Sequence, residues 1–254
     1  MPQLIQRIDL HYRLHFESAF HFGTGMRSGL VHRTIARRND GLPYVPGSTF
    51  KGLLRDHATQ IARLLDLPAR LPHADDEEDV GEFAPAGDVV AAIFGSRVRP
   101  GALSFDDATI CADDEALLYV GSKARPRLIL APSSTRTRVG IARCLGTARR
   151  GQIFTSEYGL EALRFDGRIA GVLHGVPLLS DPTFSNELTL LLAALYSLER
   201  IGGNTSVGAG RVRCALLSLR LDGQSVPAAT YHTLLDALVD LEVYEISREE
   251  AQGR

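Results

Sequence analysis

Residues 4–16 read LIQRIDLHYRLHF, and apolar side chains occupy the even positions from Leu4 to Phe16, with Gln6 as the exception. Arginine, aspartate and histidine occupy most of the odd positions. Successive side chains of a strand point to opposite faces of a sheet, so this period of two predicts a strand with one buried face. The fold must therefore supply an apolar layer that covers the even-numbered side of this strand.

A helical pattern follows the turn at residues 46–47. Ser48 is its predicted N-cap, because a side-chain oxygen there can accept a hydrogen bond from an amide of the first turn. Apolar residues then repeat at helical spacing, and the predicted buried face consists of Phe50, Leu53, Leu54, His57, Ile61, Leu64 and Leu65. This helix is expected to pack on the sheet.

Further elements alternate irregularly along the rest of the chain. Helical spacing recurs over residues 186–200 and about 228–243. Short strands are predicted over 34–38 and 211–221, and a strand broken by turns is predicted over 153–165. Such an order of strands and helices predicts an α+β sandwich with helices on one face of a sheet.

The charges of the chain are unevenly distributed. The sequence has 28 Lys and Arg residues against 30 Asp and Glu residues, which gives a net charge of -2. Residues 73–88 hold seven acidic residues and no Lys or Arg, a density of like charge that predicts a mobile surface insertion. Residues 121–151 hold eight cations and no acid, namely Lys123, Arg125, Arg127, Arg136, Arg138, Arg143, Arg149 and Arg150.

The cationic stretch indicates a polyanionic partner. Cations packed together without acids repel one another, and RNA or DNA phosphates neutralise such a surface. A solvated arginine face is the alternative. All cations of the chain except Lys51 and Lys123 are arginines, which suit phosphate by their planar fork of donors, although a GC-rich genome also favours arginine.

A glycine-rich loop over residues 201–210 is a candidate anion site. Its glycines let backbone amides approach a phosphate closely, and Arg211 stands at its exit. The loop follows a helix and leads into a strand, the reverse of the order in a dinucleotide-binding fold, and it lacks a GK[ST] sequence. The alternative is a helix C-cap followed by a turn.

The start of the first helix is a second candidate anion site. Free amides at a helix N-terminus attract phosphate, and Ser48, Thr49 and Lys51 lie there. The alternative is an ordinary capped helix with a solvated Lys51.

Residues that could carry catalysis are sparse. No HExxH or GxSxG pattern occurs, and the acidic residues of 73–88 lack the glycine of a calcium loop, so no metal site is predicted. His32 has four arginines near it in the sequence, Arg27, Arg33, Arg37 and Arg38. A histidine acid/base in a cationic pocket is one pattern for RNA cleavage, and an exposed loop or strand histidine is the alternative.

Composition bears on the location of the protein. No run of 18 apolar residues occurs, so no membrane span is predicted, and the N-terminal residues lack the blocks of a signal peptide. The three cysteines are isolated along the chain, which is typical of a protein in a reducing cytoplasm.

Several motifs in order along the chain resemble those of one family. LPYVPGSTFKGLLR at 42–55 resembles the signature PxIPGSSLKGxxR, and FGTG precedes it at 22–25. IFGS with LSFDDA at 93–108, RVGIAR with GTA and FTSE at 138–157, and the glycine-rich loop at 202–212 are similar to later motifs of the family. Together they resemble the CRISPR-associated RAMP superfamily, specifically the backbone-type subunits of type III RNA-guided interference complexes.

The resemblance implies a single RAMP domain over residues 1–254, with a modified ferredoxin-like, RRM-like core. It also implies that the arginine-rich segment, about 121–165, contains a protruding thumb hairpin, and that a glycine-rich loop lies toward the C-terminus.

The function implied is that of a guide-RNA-binding structural subunit, which stacks along the guide and presents it to target RNA in antiviral defence. The implied partners are CRISPR guide RNA, target RNA, other RAMP and type III subunits, and copies of the chain itself, with no cofactor. The residues expected to bind RNA are Ser48, Thr49, Lys51, Arg55, Arg136, Arg138, Arg143, Gly202, Gly203, Asn204, Gly208, Gly210 and Arg211.

Two positions depart from the catalytic members of the family. Their pattern GxxDxPVxRD places an aspartate where this chain has His32, and their thumb motif usually has an aspartate where Ala142 stands. The resemblance therefore favours a subunit that does not cleave RNA. One alternative is an endoribonuclease that cuts target RNA or guide precursor, with His32 as acid/base and a divalent metal needed only in that case. Another is a protein-interaction scaffold without RNA contact, against which the cationic stretch argues.

Overall fold

The structure is a computed structural model, and it describes residues 4–67, 69, 88–96, 100–120, 127–128 and 131–241. The predicted acidic insertion, apart from Asp88, lies outside the described residues. So do residues 121–126 and 129–130 of the arginine-rich segment and the last residues of the predicted C-terminal helix.

Strands and helices follow one another in mixed order. The strands are β1 (Leu4–Phe16), β2 (Tyr44–Val45), β3 (Leu103–Phe105), β4 (Ala108–Ile110), β5 (Tyr119–Val120), β6 (Arg127–Leu128), β7 (Ser133–Ala142), β8 (Thr147–Gly159), β9 (Arg164–Gly175), β10 (Val212–Leu221) and β11 (Gln224–Ser225). The helices are α1 (Gly47–Leu64), α2 (Val89–Phe94), α3 (Ala112–Leu118), α4 (Asn186–Tyr196) and α5 (Ala228–Asp236). Short 3-10 helices cover Thr205–Val207 and Ala237–Leu241.

Strand β1 lies inside an antiparallel sheet whose order is β11-β10-β1-β9-β4-β2, with β3 also paired to β9. It pairs with β9 along one edge and with β10 along the other. The predicted strand is confirmed, and burial follows its parity, because every even-numbered residue from Gln6 to Phe16 is buried. The observed architecture, an antiparallel sheet with helices packed on it, is therefore of the predicted α+β class.

The helices cover the even-numbered side of β1. Tyr12 of β1 stacks on Phe50 of α1 with ring centroids 4.4 Å apart. Helix α4 is buried along residues 186–195 and packs against α1 and the sheet. The apolar layer that the alternation of β1 requires is thus supplied by α1 and α4.

The opposite face of the sheet is polar. Nε of Arg13 donates to Asp166 at 2.6 Å, and Nε of Arg168 donates to Asp9 at 2.7 Å. Both pairs join β1 to β9 on the solvent side, so they support the register of the sheet while each adds little to its stability.

Helix α1 begins earlier than predicted, at Gly47, with Pro46 at the N-cap. Ser48 is therefore not the N-cap, and that prediction is wrong. The amide of Gly47 donates to Oδ1 of Asp107 at 2.7 Å, so a carboxylate from the β3–β4 turn takes the place of a cap. Glycine is also required at this position by space, since a Cβ would lie 2.1 Å from the carbonyl oxygen of Phe105.

The buried face of α1 differs from the predicted one by part of a turn. The buried line runs through Phe50, Leu54, Ala58 and Ala62. Leu64 is 83% exposed, so the prediction for it is wrong. It lies two residues past Ala62, about 200° further round the helix, and therefore faces away from the sheet.

Residues 34–38 do not form the predicted regular strand. They make isolated bridges instead, such as the one between Arg37 and Pro43. The amide of Ile35 donates to Oε2 of Glu157 at 3.1 Å, and a side-chain acceptor in place of a strand carbonyl interrupts the ladder.

The other predicted elements are confirmed with shifted ends. Helix α4 ends at Tyr196 rather than at Arg200, and the last predicted helix divides into α5 and a 3-10 helix. The predicted strand 153–165 is divided between β8 and β9, while β10 matches the predicted strand 211–221. In the described part of the chain, no helix is long and apolar enough to cross a membrane.

Candidate nucleic-acid interface

Strands β7 and β8 form a long hairpin outside the main sheet. They pair from Ser133 and Gly159 at the root to Ala142 and Thr147 at the tip, and most of their side chains are exposed. At the root, the amide of Gly159 donates to the carbonyl oxygen of Phe20 at 2.8 Å. A Cβ on Gly159 would lie 2.0 Å from the Phe20 ring, so the hairpin rests directly on the aromatic core.

One face of the hairpin gathers cations and aromatic rings. Directly opposed residues of an antiparallel pair share a face, and the register assigns to this one Arg136, Arg138, Phe154 and Tyr158. The guanidinium carbons of Arg136 and Arg138 lie 5.1 Å and 5.6 Å from the centroid of the Tyr158 ring. Tyr158 is buried, so both cations lie over a ring that is fixed in place.

The glycine-rich loop meets this face through Asn204. Its Nδ2 donates to the hydroxyl oxygen of Tyr158 at 3.0 Å. Asn204 has a φ of 64°, a left-handed conformation that asparagine tolerates better than most residues. The arginine-rich segment and the glycine-rich loop, two of the predicted RNA-binding regions, thus come together at Tyr158.

The folding of the glycine-rich loop itself requires its glycines. Positive φ angles occur at Gly202, Gly208 and Gly210. The amide of Gly203 donates to the carbonyl oxygen of His21 at 2.8 Å, and that of Gly210 donates to Ala19 at 2.9 Å. These two amides are engaged within the protein, as the alternative of a cap and turn implies. A part for these glycines in RNA binding stays a prediction.

Arg211 at the loop exit shares a carboxylate with Arg213. Nε of Arg211 lies 3.1 Å from Oε2 of Glu17, and Nη2 of Arg213 lies 2.5 Å from Oε1 of the same residue. The side chain of Arg211 is 66% exposed, so solvent screens this ion pair and keeps it weak. A phosphate that approached Arg211 would have to compete with Glu17.

The residues at the start of α1 form a second group. Ser48 and Thr49 are exposed on its first turn. Nζ of Lys51 lies 5.8 Å from the centroid of the Phe105 ring, a cation–π contact. Lys51 is therefore held against the end of β3, rather than extended into solvent as in the alternative of an ordinary capped helix.

Arg55 lies one turn further along α1. Its Nη2 donates to the carbonyl oxygen of Gly95 at 2.8 Å, while its Nε is buried and has no hydrogen-bond partner among the described residues. Arg55 thus retains one unused strong donor. Arg143, in contrast, is exposed in the turn at the tip of the hairpin.

His32 lies beside β8, and its ring takes part in backbone pairing. Its amide donates to the carbonyl oxygen of Thr155 at 2.8 Å, and its Nδ1 accepts from the amide of Thr155 at 3.1 Å. In the neutral form the ring proton is therefore on Nε2, which leaves no free lone pair for a general base. Nowhere in the described parts of the chain do three His, Cys, Asp or Glu side chains come together as a metal site.

Glu157 holds the root of the hairpin, although no sequence pattern gives it a role. Its carboxylate accepts from Oγ of Ser133 at 2.7 Å, from the amide of Ile35 at 3.1 Å and from the guanidinium of Arg37. Burial opposes its ionisation, but the hydrogen bonds from Ser133 and Arg37 outweigh burial and hold the pKa of this carboxyl below its ordinary range. Its place at the end of the FTSE motif was the available signal.

His21 is another residue that no sequence pattern marks. Its buried ring lies against Tyr158, with centroids 5.7 Å apart, and its Nδ1 donates to the carbonyl oxygen of Glu157 at 2.7 Å. Because its own carbonyl oxygen accepts from Gly203, His21 ties the glycine-rich loop to β8.

Comparisons with known proteins agree with this architecture. A family model of the RAMP superfamily matches residues 13–213. No curated protein matches the sequence. A chain of the type III-B Cmr-beta complex in its apo state has a similar structure, with a TM-score of 0.54 and 13% identity over 82% of this chain and 97% of that chain. A chain of type III-B Cmr-beta bound to cognate target RNA gives a TM-score of 0.52 and 13% identity over 82% and 96%.

Proposed function

The chain belongs to the RAMP superfamily, and from this membership we propose that it is a guide-RNA-binding structural subunit of a type III CRISPR interference ribonucleoprotein. It stacks along the guide in the cytoplasm and presents the guide to target RNA in antiviral defence. Its protein partners are other type III subunits and copies of itself. The fold is similar to that of chains from type III-B Cmr-beta structures, one of which is of the complex bound to cognate target RNA, and this likeness supports this type of complex.

The order of the main sheet supports a modified ferredoxin-like core. Strands β1, β4, β9 and β10, with α1 after β1 and α4 after β9, follow the β-α-β-β-α-β sequence of that fold. Their order in the sheet, β10-β1-β9-β4, places the first and third strands in the centre. The β7–β8 hairpin, inserted between the second and third strands of this core, is the thumb of the proposal.

The observation that carries the proposal is that the guanidiniums of two arginines lie over the Tyr158 ring. Among the described residues, no carboxylate forms an ion pair with Arg136 or Arg138, so both guanidiniums can offer their donors to an anion. A guanidinium that lies over an aromatic ring can still bind phosphate with its N–H groups, while the ring restrains its position. Phosphate contacts bind RNA without reading its sequence, which suits a subunit that leaves sequence choice to guide–target pairing.

In this proposal the subunit does not cleave RNA. His32 stands where the catalytic aspartate of related subunits is expected, and its Nδ1 is occupied by the amide of Thr155. The endoribonuclease alternative has less support, because a base at this position needs a free lone pair.

The test is to purify the chain with its neighbouring gene products and to extract any bound nucleic acid. Short co-purifying RNAs are expected, and their absence refutes the proposal. Complementary RNA is then added with and without magnesium. Regular cuts that disappear in a His32→Ala complex would establish the endoribonuclease alternative instead.

A second test addresses the binding of phosphates. Arg136→Ala is expected to weaken RNA binding to the same extent for different guide sequences. The logarithm of the binding constant falls linearly with the logarithm of the salt concentration. The magnitude of this slope should decrease by about 0.7 for each phosphate of single-stranded RNA that the variant no longer neutralises. Arg220→Ala, which removes an exposed arginine of β10, is the matched control. A weakening that depends on guide sequence would contradict a role on the RNA backbone.

A further inference from the structure

Phe154 is exposed on the cationic face of the hairpin. It is 49% exposed, whereas the other phenylalanines of the described residues are buried or half-buried. A single exposed apolar side chain carries no meaning by itself. The neighbours of Phe154 therefore decide what its exposure means.

The Phe154 ring shares its face of the hairpin with Arg136 and Arg138, and no ring among the described residues is stacked in parallel on it. Arg138 lies directly across the hairpin, and its guanidinium lies over Tyr158. His32 is the ring neighbour of Phe154 in the described residues, with centroids 6.4 Å apart and planes inclined by 70°. His32 is thus not stacked in parallel on the phenyl ring.

The other face of the hairpin has a different character. Val139 and Ile153 are opposed on it and are 47% and 56% exposed, and Thr137 and Thr155 share a hydrogen bond beside them. This face carries aliphatic and hydroxyl groups, and Arg37 at its root is already bound to Glu157, so it suits contact with protein. An aromatic ring beside guanidiniums suits a nucleic acid, whose bases stack and whose phosphates are anionic.

We infer that Phe154 is a stacking platform for one unpaired base of single-stranded RNA, with Arg136 and Arg138 on the backbone phosphates beside that base. The inference rests on the proposed function, because it names a contact within the same RNA-binding surface. The guanidiniums of both arginines lie over Tyr158, which is four residues, or about 13 Å, from Phe154 along β8. The phosphates that the arginines bind therefore belong to nucleotides next to the one whose base stacks on the ring. Every base has a π-face, so the site accepts any of the four.

The test is a double-mutant cycle between Phe154 and the bases of the RNA. The full chain, alone and in its purified complex, is titrated with single-stranded RNAs of one sequence, each with one abasic position, and Kd is measured by fluorescence anisotropy. Phe154→Ala is expected to weaken binding to the intact RNA by roughly 5- to 150-fold, the range for one stacked base. RNA that is abasic at the stacked position should show no further loss with this variant, whereas RNAs abasic elsewhere should.

Matched variants separate stacking from other effects. Phe154→Trp should retain the affinity of the wild type, and Ile153→Ala, on the opposite face of the same strand, should leave it unchanged. Equal loss for Ile153→Ala and Phe154→Ala, or additive loss at every abasic position, overturns the inference. So does a Phe154→Ala complex that loses a protein subunit while its RNA affinity is unchanged, because the ring then belongs to a protein interface.

Failure of the inference and failure of the proposed function give different results. A wild-type protein that binds no RNA refutes both. A wild-type protein that binds RNA while Phe154→Ala has no effect refutes the stacking platform alone. Thermal unfolding of each variant verifies that these substitutions on an exposed hairpin leave the fold intact.

Discussion

Replacing Glu157 by glutamine tests the anchor of the hairpin with almost no change of volume. Oε1 of Glu157 accepts from Ser133 and Arg37, and Oε2 accepts from the amide of Ile35. Glutamine has one oxygen and one NH₂ group, so whichever way it turns, a donor faces another donor. With the NH₂ group toward Ile35, the backbone amide of that residue loses its acceptor.

The cost follows from these hydrogen bonds. Leaving one buried amide unpaired costs about 1–3 kcal/mol, and exchanging the charged partner of Arg37 for a neutral one costs about 1 kcal/mol more. The carboxylate is well shielded, since its side chain is only 13% exposed, so solvent does not compensate much of this loss. Glu157→Gln is therefore expected to destabilise the hairpin root by about 2–4 kcal/mol.

Urea unfolding at neutral pH and amide hydrogen exchange measure the effect. Exchange of the β8 amides and of Ile35 should accelerate in Glu157→Gln, because local opening of the hairpin becomes easier. Glu161→Gln, an exposed glutamate in the turn after β8, is the control and should cost nearly nothing. If Glu157→Gln lowered the free energy of unfolding by less than about 0.5 kcal/mol, the range of surface substitutions, Glu157 would not anchor the hairpin.

The structure also predicts how the stability difference between the wild type and Glu157→Gln changes with pH. The folded-state pKa of Glu157 lies below its ordinary value of 4.5. The stabilisation by its ionised form is therefore complete above the unfolded-state pKa and is lost as the pH falls through the lower folded-state pKa. The difference in stability between the wild type and Glu157→Gln should shrink over that acidic window, and a difference that grows there would contradict the assignment.

Three further predictions concern other parts of the molecule. Glu17→Gln releases Arg211 from its ion pair, so RNA affinity at low salt should rise roughly 1.5- to 5-fold in anisotropy titrations, while no change would mean that Arg211 does not meet RNA. Tyr12→Phe removes a buried hydroxyl that has no hydrogen-bond partner in the described residues, so the free energy of unfolding measured in urea should rise by about 1 kcal/mol. A decrease would show that the hydroxyl does have a partner. Asn204→Ala removes both the bond to Tyr158 and a tolerated left-handed residue, so it should melt at a lower temperature than Asn204→Gly, and the reverse order would contradict the role of the left-handed backbone.

The fold class was predictable because its strongest signal is local. The alternation of apolar and polar residues in 4–16 is visible without knowledge of the neighbouring strands. Even Gln6 is buried, like the even-numbered residues that follow it in β1. The start of α1 was not predictable in this way. Its capping carboxylate belongs to Asp107, 60 positions further along the chain. Glycine is needed at position 47 because the carbonyl oxygen of Phe105, in β3, leaves no room for a Cβ.

The candidate interface was predictable in its cations and not in their arrangement. The arginines of β7 are visible as a cluster in the sequence, but the ring that holds them, Tyr158, stands in β8 and reads as an ordinary strand residue. Asn204 reaches Tyr158 across 46 positions. Long-range contacts of this kind depend on the register of the hairpin, which turn residues and side-chain pairing decide together.

The contact between Gly159 and Phe20 makes the hairpin a lever. Strand β8 has 13 residues, so it extends about 40 Å from its root at the core. A tilt of about 10° at the root would then move the tip by about 7 Å, roughly twice the rise per residue of a strand. A Cβ at position 159 would overlap the Phe20 ring, so either this ring or the strand would have to move. The position of the far end of the hairpin, where Arg143 lies, therefore depends on contacts at the opposite end, among them the one between Gly159 and the Phe20 ring.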